Sequence, residues 1–136
     1  MEFNWRLLEE GDYENTLVQW WKDWRWPSPP PKGILPDEGL GGIMVMKGDV
    51  DVCAGFVCFT NSEIAWVVWV VSNFNYKNKD RKKAVNLTID TLSLIAKDKG
   101  YNYVFTSVGN KSLQKRYEEC GYNIASRDCV EMIKKI

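Results

Sequence analysis

The residues able to do chemistry gather around one loop. Lys77, Asn78, Lys79, Asp80, Arg81, Lys82 and Lys83 stand a few residues after an apolar run, Ala65-Trp66-Val67-Val68-Trp69-Val70-Val71. That run is short, β-branched and aromatic, which predicts a buried strand. From Asp80 onward Val85, Ile89, Leu92 and Ala96 share one helical stripe, so the basic cluster opens a helix. The start of a helix has unpaired N–H groups and the positive end of the dipole, and anions settle there. Each such charge interaction contributes about 0.3–1 kcal/mol when exposed. The cluster reads either as a seat for a phosphate-bearing ligand or as a solvated basic helix start, with Asp80 placed to cap the helix.

A second constellation lies downstream. Gly100 sits where a helix C-cap needs positive φ, and Tyr101–Ser107 predicts a strand. Asn110 then opens a short helix that ends at Cys120-Gly121. Asn110, Tyr117, Gly121 and Tyr122 stand in the spacing Asn-x6-Tyr-x3-Gly-aromatic. Taken alone, Asn110 is a helix cap, and Tyr117 is either packing with a polar tip or a functional hydroxyl.

Strand, basic loop, helix, strand and this closing motif together resemble the GCN5-related N-acetyltransferases, over roughly residues 43 to 136. With its Trp- and Pro-rich front half, the whole chain is similar to small acetyltransferase-like proteins encoded by tailed phages. The resemblance implies an α/β (α+β) fold with a mixed, mostly antiparallel sheet of six to seven strands, flanked by helices and containing a splayed strand pair. It implies acetyl-CoA as cofactor and an amine as acceptor. Backbone N–H groups around Val70 or Val71 would face the developing oxyanion. The loop from Lys77 to Lys82 would hold the pyrophosphate, Asn110 would contact the ligand or cap its helix, and Tyr117 would protonate the departing thiolate. Trp24, Trp26 and Trp69 are candidates for the acceptor pocket.

Two positions depart from the family pattern. Its phosphate loop usually reads Gln/Arg-x-x-Gly-x-Gly/Ala, whereas residues 77–82 contain no glycine. The family's base is often a glutamate on the site strand, and here the strand interior is Trp66-Val67-Val68-Trp69. Three explanations stay open: Glu63 at the strand's mouth reaches the acceptor, the acceptor arrives deprotonated and positioning does most of the work, or the protein binds coenzyme A without turnover. In the last case it would be a protein-binding module, for a phage at the interface with its host.

Composition narrows the classes further. The chain has 136 residues, which fits one domain over 1–136. Its 18 basic and 18 acidic residues cancel, so a general attraction to nucleic acid is not expected. It contains no histidine, which removes the commonest general base and every Ser-His or Cys-His pair. Cys53, Cys58, Cys120 and Cys129 show no Cys-x-x-Cys spacing and predict reduced, structural thiols rather than a metal site. No membrane-length apolar run and no secretory leader pattern are present, so a cytoplasmic location is expected, the host cytoplasm if the chain is phage-encoded.

The remaining elements must carry these residues. Residues 2–8 alternate as a strand, and Tyr13, Leu17, Trp20, Trp21 and Trp24 recur at helical spacing. Arg25 to Pro36 is a proline-stiffened loop carrying Trp26. Ile43–Met46 and Val50–Phe59 form a hairpin around Lys47-Gly48-Asp49, with Ala54-Gly55 marking a close approach or a bulge. The tail predicts two last strands, 122–125 and 129–133. Exposed edge strands would suit a homodimer.

Overall fold

A computed structural model describes residues 2–136. Five strands form one sheet in the order β1-β2-β3-β4-β5: Phe3–Leu7, Gly42–Lys47, Val50–Cys58, Ile64–Ser72 and Tyr103–Phe105. The first four pair antiparallel and β5 joins β4 in parallel. A π-helical stretch, Tyr13–Leu17, leads into α1 (Val18–Asp23), while α2 spans Arg81–Asp98 and α3 spans Lys111–Glu119. The expected mixed sheet with flanking helices is present.

Strand alternation divides the core into two layers. Ile43, Val45, Cys53, Val57, Ala65 and Val67 face α2 and meet Ala84, Ile89, Leu92 and Ala96, the stripe expected from spacing. Met44, Ala54, Phe56 and Val71 face the other way, onto Leu17, Trp20, Trp21 and Leu35. Trp20 and Trp21 are therefore core residues. Cys53 is the one fully buried thiol among the described residues, and burial pushes it up to about 12. Cys58 and Cys129 are exposed, so the expectation of uniformly structural cysteines does not hold for them.

The alternation breaks in β3, where Val52 and Cys53 both join the α2 layer beside a register shift at Val45/Met46, and again in β4. Val68 and Trp69 are consecutive yet both pack into the α1 layer, and Val70 returns to the α2 layer. Phe56 pairs with Val68 but Ala54 pairs with Val71, so Gly55 alone faces Trp69 and Val70. This is a β-bulge, and it places Trp69 at φ 57°, a left-handed conformation that a bulky residue rarely adopts. Gly55 makes room for it. A Cβ there would stand 2.9 Å from Leu92 Cδ1 and 3.0 Å from Val70 Cγ2.

Two sequence expectations fail at the C-terminal end. The strand expected over 101–107 shrinks to Tyr103–Phe105, because Thr106 turns its hydroxyl onto the Val67 carbonyl at 2.7 Å. The last two strands, 122–125 and 129–133, are absent, and the sheet has five strands rather than six or seven. After Gly121 (φ 92°) the chain bends at 127–128 as expected, but its flanks lie exposed with no ladder partner. Among the described residues no helix is long and apolar enough to cross a membrane.

The bulge yields a stability test. Gly55→Val overpacks the contact with Leu92 and Val70 and should cost about 1–3 kcal/mol, read as a lowered urea midpoint. An unchanged midpoint would mean that the layer is looser than its distances imply.

Candidate functional site

β4 and β5 run side by side through Ile64↔Tyr103, Ala65↔Val104 and Trp66↔Phe105, then separate. The separation begins one residue before Val68, where the bulge starts, so a parted strand pair and an interrupted ladder coincide. At the fork the Val67 carbonyl accepts from Thr106 Oγ1 at 2.7 Å and from Tyr117 Oη at 3.4 Å. Trp66 and Phe105 stack nearly parallel beside it, with ring centroids 4.6 Å apart. A groove of about 790 Å³ opens here, with Trp66, Phe105, Ser107 and Tyr117 on its lining.

Tyr117 reaches the fork because of how α3 is capped. Asn110 has extended backbone and its side chain accepts from Leu113 N at 3.0 Å, as expected of an N-cap. Arg116 and Tyr117 are then the buried face of the helix. Tyr117 packs edge-on against Tyr122, whose hydroxyl meets Ser93 Oγ on α2 at 2.8 Å. Burial pushes the Tyr117 phenol well above its ordinary range, against the lowering effect of Thr106. It therefore holds its proton at neutral pH, as a donor rather than a base.

The basic loop lies at the other end of β4. Lys77, Asn78, Lys79 and Lys82 are exposed. The Arg81 amide bonds to Asn78 O and those of Lys83 and Ala84 to Asp80 O, while the Lys82 amide has no hydrogen-bond partner among the described residues. One free helical donor thus points from the start of α2, with lysines around it. Arg81 is partly committed: its guanidinium donates to Tyr76 O at 3.2 Å and lies 5.3 Å from the Trp24 ring centre.

Asp80 behaves otherwise than expected. It occupies the N-cap position without a side-chain capping bond. Lys47 Nζ lies 2.5 Å from Oδ2, and the Tyr76 hydroxyl donates to Oδ1 at 2.8 Å. The hairpin brings a cation to the one carboxylate of the loop, and that stronger partner outcompetes the helix amides. The bond from Lys47, then that from Tyr76, holds the Asp80 carboxyl below the usual range. Its charge is thereby neutralised locally. Sequence reasoning missed Lys47, Tyr76 and Thr106. Nothing in the sequence ties Lys47 to a loop over thirty residues away, but Tyr76 is four residues from Asp80, and that spacing was available.

The other candidates are partly separated by the fold. Glu63 precedes β4, and its carboxylate is bound by the Asn102 amide. Val67 at the fork lies four residues further along the strand, roughly 13 Å, so the structure does not bring Glu63 to the fork. Val70 lies in the bulge and Val71 at the resumption of pairing with Ala54. Trp26 sits between Trp21 and Trp69, 6.0 Å from each ring. Trp24 does not join them. Arg25 at φ 62° turns the chain, and Trp24 instead donates its indole N–H to Ser72 O at 2.7 Å and meets Phe74 edge-on. Trp26 and Trp69 continue one aromatic row with Trp21, whereas Trp24 contacts Ser72, Phe74 and Arg81 beside the basic loop.

Comparison of the whole architecture with solved structures finds close likenesses. Ribosomal-protein-S18-alanine N-acetyltransferase from Escherichia coli superposes with a TM-score of 0.69 at 14% identity, over 92% of this chain and 80% of that one. The chain has the acyl-CoA N-acyltransferase fold. AAC(6')-Iy, in complex with the bisubstrate analog CoA-S-monomethyl-acetylneamine, matches over 99% of this chain and 100% of its own, with a TM-score of 0.67 and 12% identity. Glucosamine-6-phosphate N-acetyltransferase from Arabidopsis thaliana shares the N-acyltransferase fold at a TM-score of 0.61 and 15% identity, over 99% of each chain. No family model and no curated protein matches in sequence.

The Asp80 pair gives a titration test. A carboxyl whose folded pKa is depressed stabilises the fold above its unfolded pKa, and that contribution is lost as the pH falls through the folded value. Carbon-detected NMR should find Asp80 titrating below 3.8, with Lys47→Met moving the midpoint upward. An Asp80 midpoint indifferent to Lys47→Met would dismiss the pair.

Proposed function

We propose that the protein is an acetyl-CoA-dependent N-acetyltransferase acting on a primary amine. The observation that carries this reading is the coincidence of the β4 bulge, the parting of β4 from β5 and the Tyr117 hydroxyl at one fork. Acetyl-CoA would supply an acetyl thioester lying in that fork. Trp69 and Val70 leave the ladder at the bulge, so main-chain N–H groups there are free to face a developing oxyanion. Tyr117, kept protonated by burial, is the group placed to give a proton to the departing sulfur. Thr106 shares the Val67 carbonyl and so fixes the fork against which Tyr117 is set.

The residues around α2 fit the phosphates in a modified way. With no glycine in the loop, close approach of bare backbone is given up, and the free Lys82 amide with Lys77, Lys79 and Lys82 supplies charge instead. Asp80 does not oppose this while Lys47 holds it. Trp26 and Trp69 line the acceptor side, and Trp24 is assigned to the basic loop. The site strand itself carries no carboxylate, since Val68 stands in its interior and Glu63 precedes it; Glu118, Asp128 and Glu131 line the groove from α3 and the tail. The amine then reaches the site unprotonated from solvent, and rate comes from positioning, which can contribute about 7–11 kcal/mol.

The absent carboxylate also favours a second reading, in which the fold is retained for binding a protein, at a phage–host contact if the chain is phage-encoded. Calorimetric titration separates the two. The transferase reading expects micromolar binding of acetyl-CoA that weakens with the dephospho analogue, followed by thiol release with some amine in an acceptor panel. Tyr117→Phe should then reduce kcat by roughly 10²-fold, the low end for a lost general acid, with little change in acetyl-CoA affinity. Absence of binding at millimolar acetyl-CoA would exclude the transferase, and an unchanged kcat in Tyr117→Phe would remove that residue as the acid.

A further inference from the structure

The two ends of the site carry opposite charge. At one end Lys77, Lys79 and Lys82 stand exposed around the free Lys82 amide. At the other, the groove beside the fork is lined by the carboxylates of Glu118, Asp128 and Glu131, against the single guanidinium of Arg127. The chain as a whole carries no net charge, so this excess belongs to the groove. All three carboxylates are exposed, and none takes part in the ion pairs of the described residues. A cleft lined by one sign of charge concentrates ions of the other. The same wall repels phosphates, so it is no seat for the anionic end of a nucleotide cofactor.

Two further features point to an amine. Tyr117 is only 3% exposed, yet its side chain lines the groove. Its hydroxyl lies 3.4 Å from the Val67 carbonyl, beyond the roughly 2.5–3.0 Å of an ordinary O–H···O bond. This buried polar group therefore keeps hydrogen-bonding capacity for a ligand. Trp66 and Phe105 stack on the same lining, with Phe105 39% exposed. Aromatic faces attract ammonium groups. Trp66 stands two residues before Val68, on the side of β4 that carries Trp69. An aromatic surface thus runs from the bulge into the part of the groove that the carboxylates line.

We infer that the groove binds a linear polyamine, with one amine at the fork and its further ammonium groups along Glu118, Asp128 and Glu131. The space of about 790 Å³ between β5 and the tail suits a slender, unbranched molecule. Binding rests on the groove alone; that the polyamine is the acetyl acceptor rests on the transferase reading. On that reading the neutral terminal nitrogen attacks the thioester carbonyl, and the carbon–sulfur bond breaks. Sulfur leaves as the thiol with the Tyr117 proton, and the proton lost by nitrogen restores the phenol through solvent. Repulsion between ammonium groups makes one amine of such a molecule easier to deprotonate. That suits a site strand without a carboxylate base.

Calorimetric titration of the full chain without acetyl-CoA compares spermidine, as probe, with pentylamine. Spermidine should bind at least about tenfold more tightly, and added salt should shrink the difference because the contacts are exposed. Glu118→Gln, Asp128→Asn and Glu131→Gln together should remove most of it. Asparagine suits the φ of 58° at position 128, and circular dichroism checks that the variant is folded. Assays with acetyl-CoA then compare kcat/KM for spermidine, pentylamine and a lysine-containing peptide. Spermidine should lead through a lower KM, and the triple variant should lose that lead. Equal binding of the two amines, a spermidine affinity that the triple variant keeps, or a preference for the peptide would each overturn the inference. Tight spermidine binding with no acetylation of any amine would uphold the groove's ligand and remove the transferase reading.

Discussion

The close approach of Gly55 to α2 is the constraint on which the rest of the site depends. With no side chain at that position, Leu92, Thr88 and Val70 close over it, and β4 can carry an extra residue opposite a single one on β3. The extra residue forces Trp69 to positive φ and turns Val68 and Trp69 onto the same face of the sheet. Strain at a bulky residue persists only where surrounding packing over-determines it. Here that packing is supplied by the Trp21–Trp26–Trp69 row on one face and α2 on the other.

From the bulge the geometry propagates in two directions. Toward β5, parallel pairing ends at Trp66 and Phe105, and side chains replace the ladder: the Val67 carbonyl takes Thr106 and Tyr117 in place of backbone partners. Toward α2, the strand ends at Ser72, whose carbonyl receives the Trp24 indole, and the loop that follows is tied by Tyr76, Asp80 and Lys47. A loop with so many lysines would repel itself in isolation. Its one carboxylate is set against a cation from the β2–β3 hairpin, and two of its cations sit over aromatic rings, Lys77 over Phe74 and Arg81 over Trp24.

Much of this was legible in the chain. The hairpin, the α2 stripe, the Asn110 cap and the buried β4 run follow from periodicity and cap chemistry, which are local properties. The possible bulge at Ala54-Gly55 was also visible, because glycine inside a strand marks close approach. The missing tail strands mark the limit of that method. Residues 122–125 and 129–133 have the composition of strands, but a strand exists only where an edge receives it, and within one chain this arm and the β5 edge do not meet.

The sequence by itself determined the order of strand, basic loop, helix and closing motif, because each depends on contacts within a few residues. It also determined that no histidine chemistry is available and that the site strand lacks a carboxylate. Only the tertiary structure decided which charged and aromatic groups act together. It joined Lys47 to Asp80 across 33 residues, separated Trp24 from Trp26 by a single left-handed residue, and left Glu63 far from the fork. Pairings of that kind depend on register and packing between distant segments, and no local spacing encodes them.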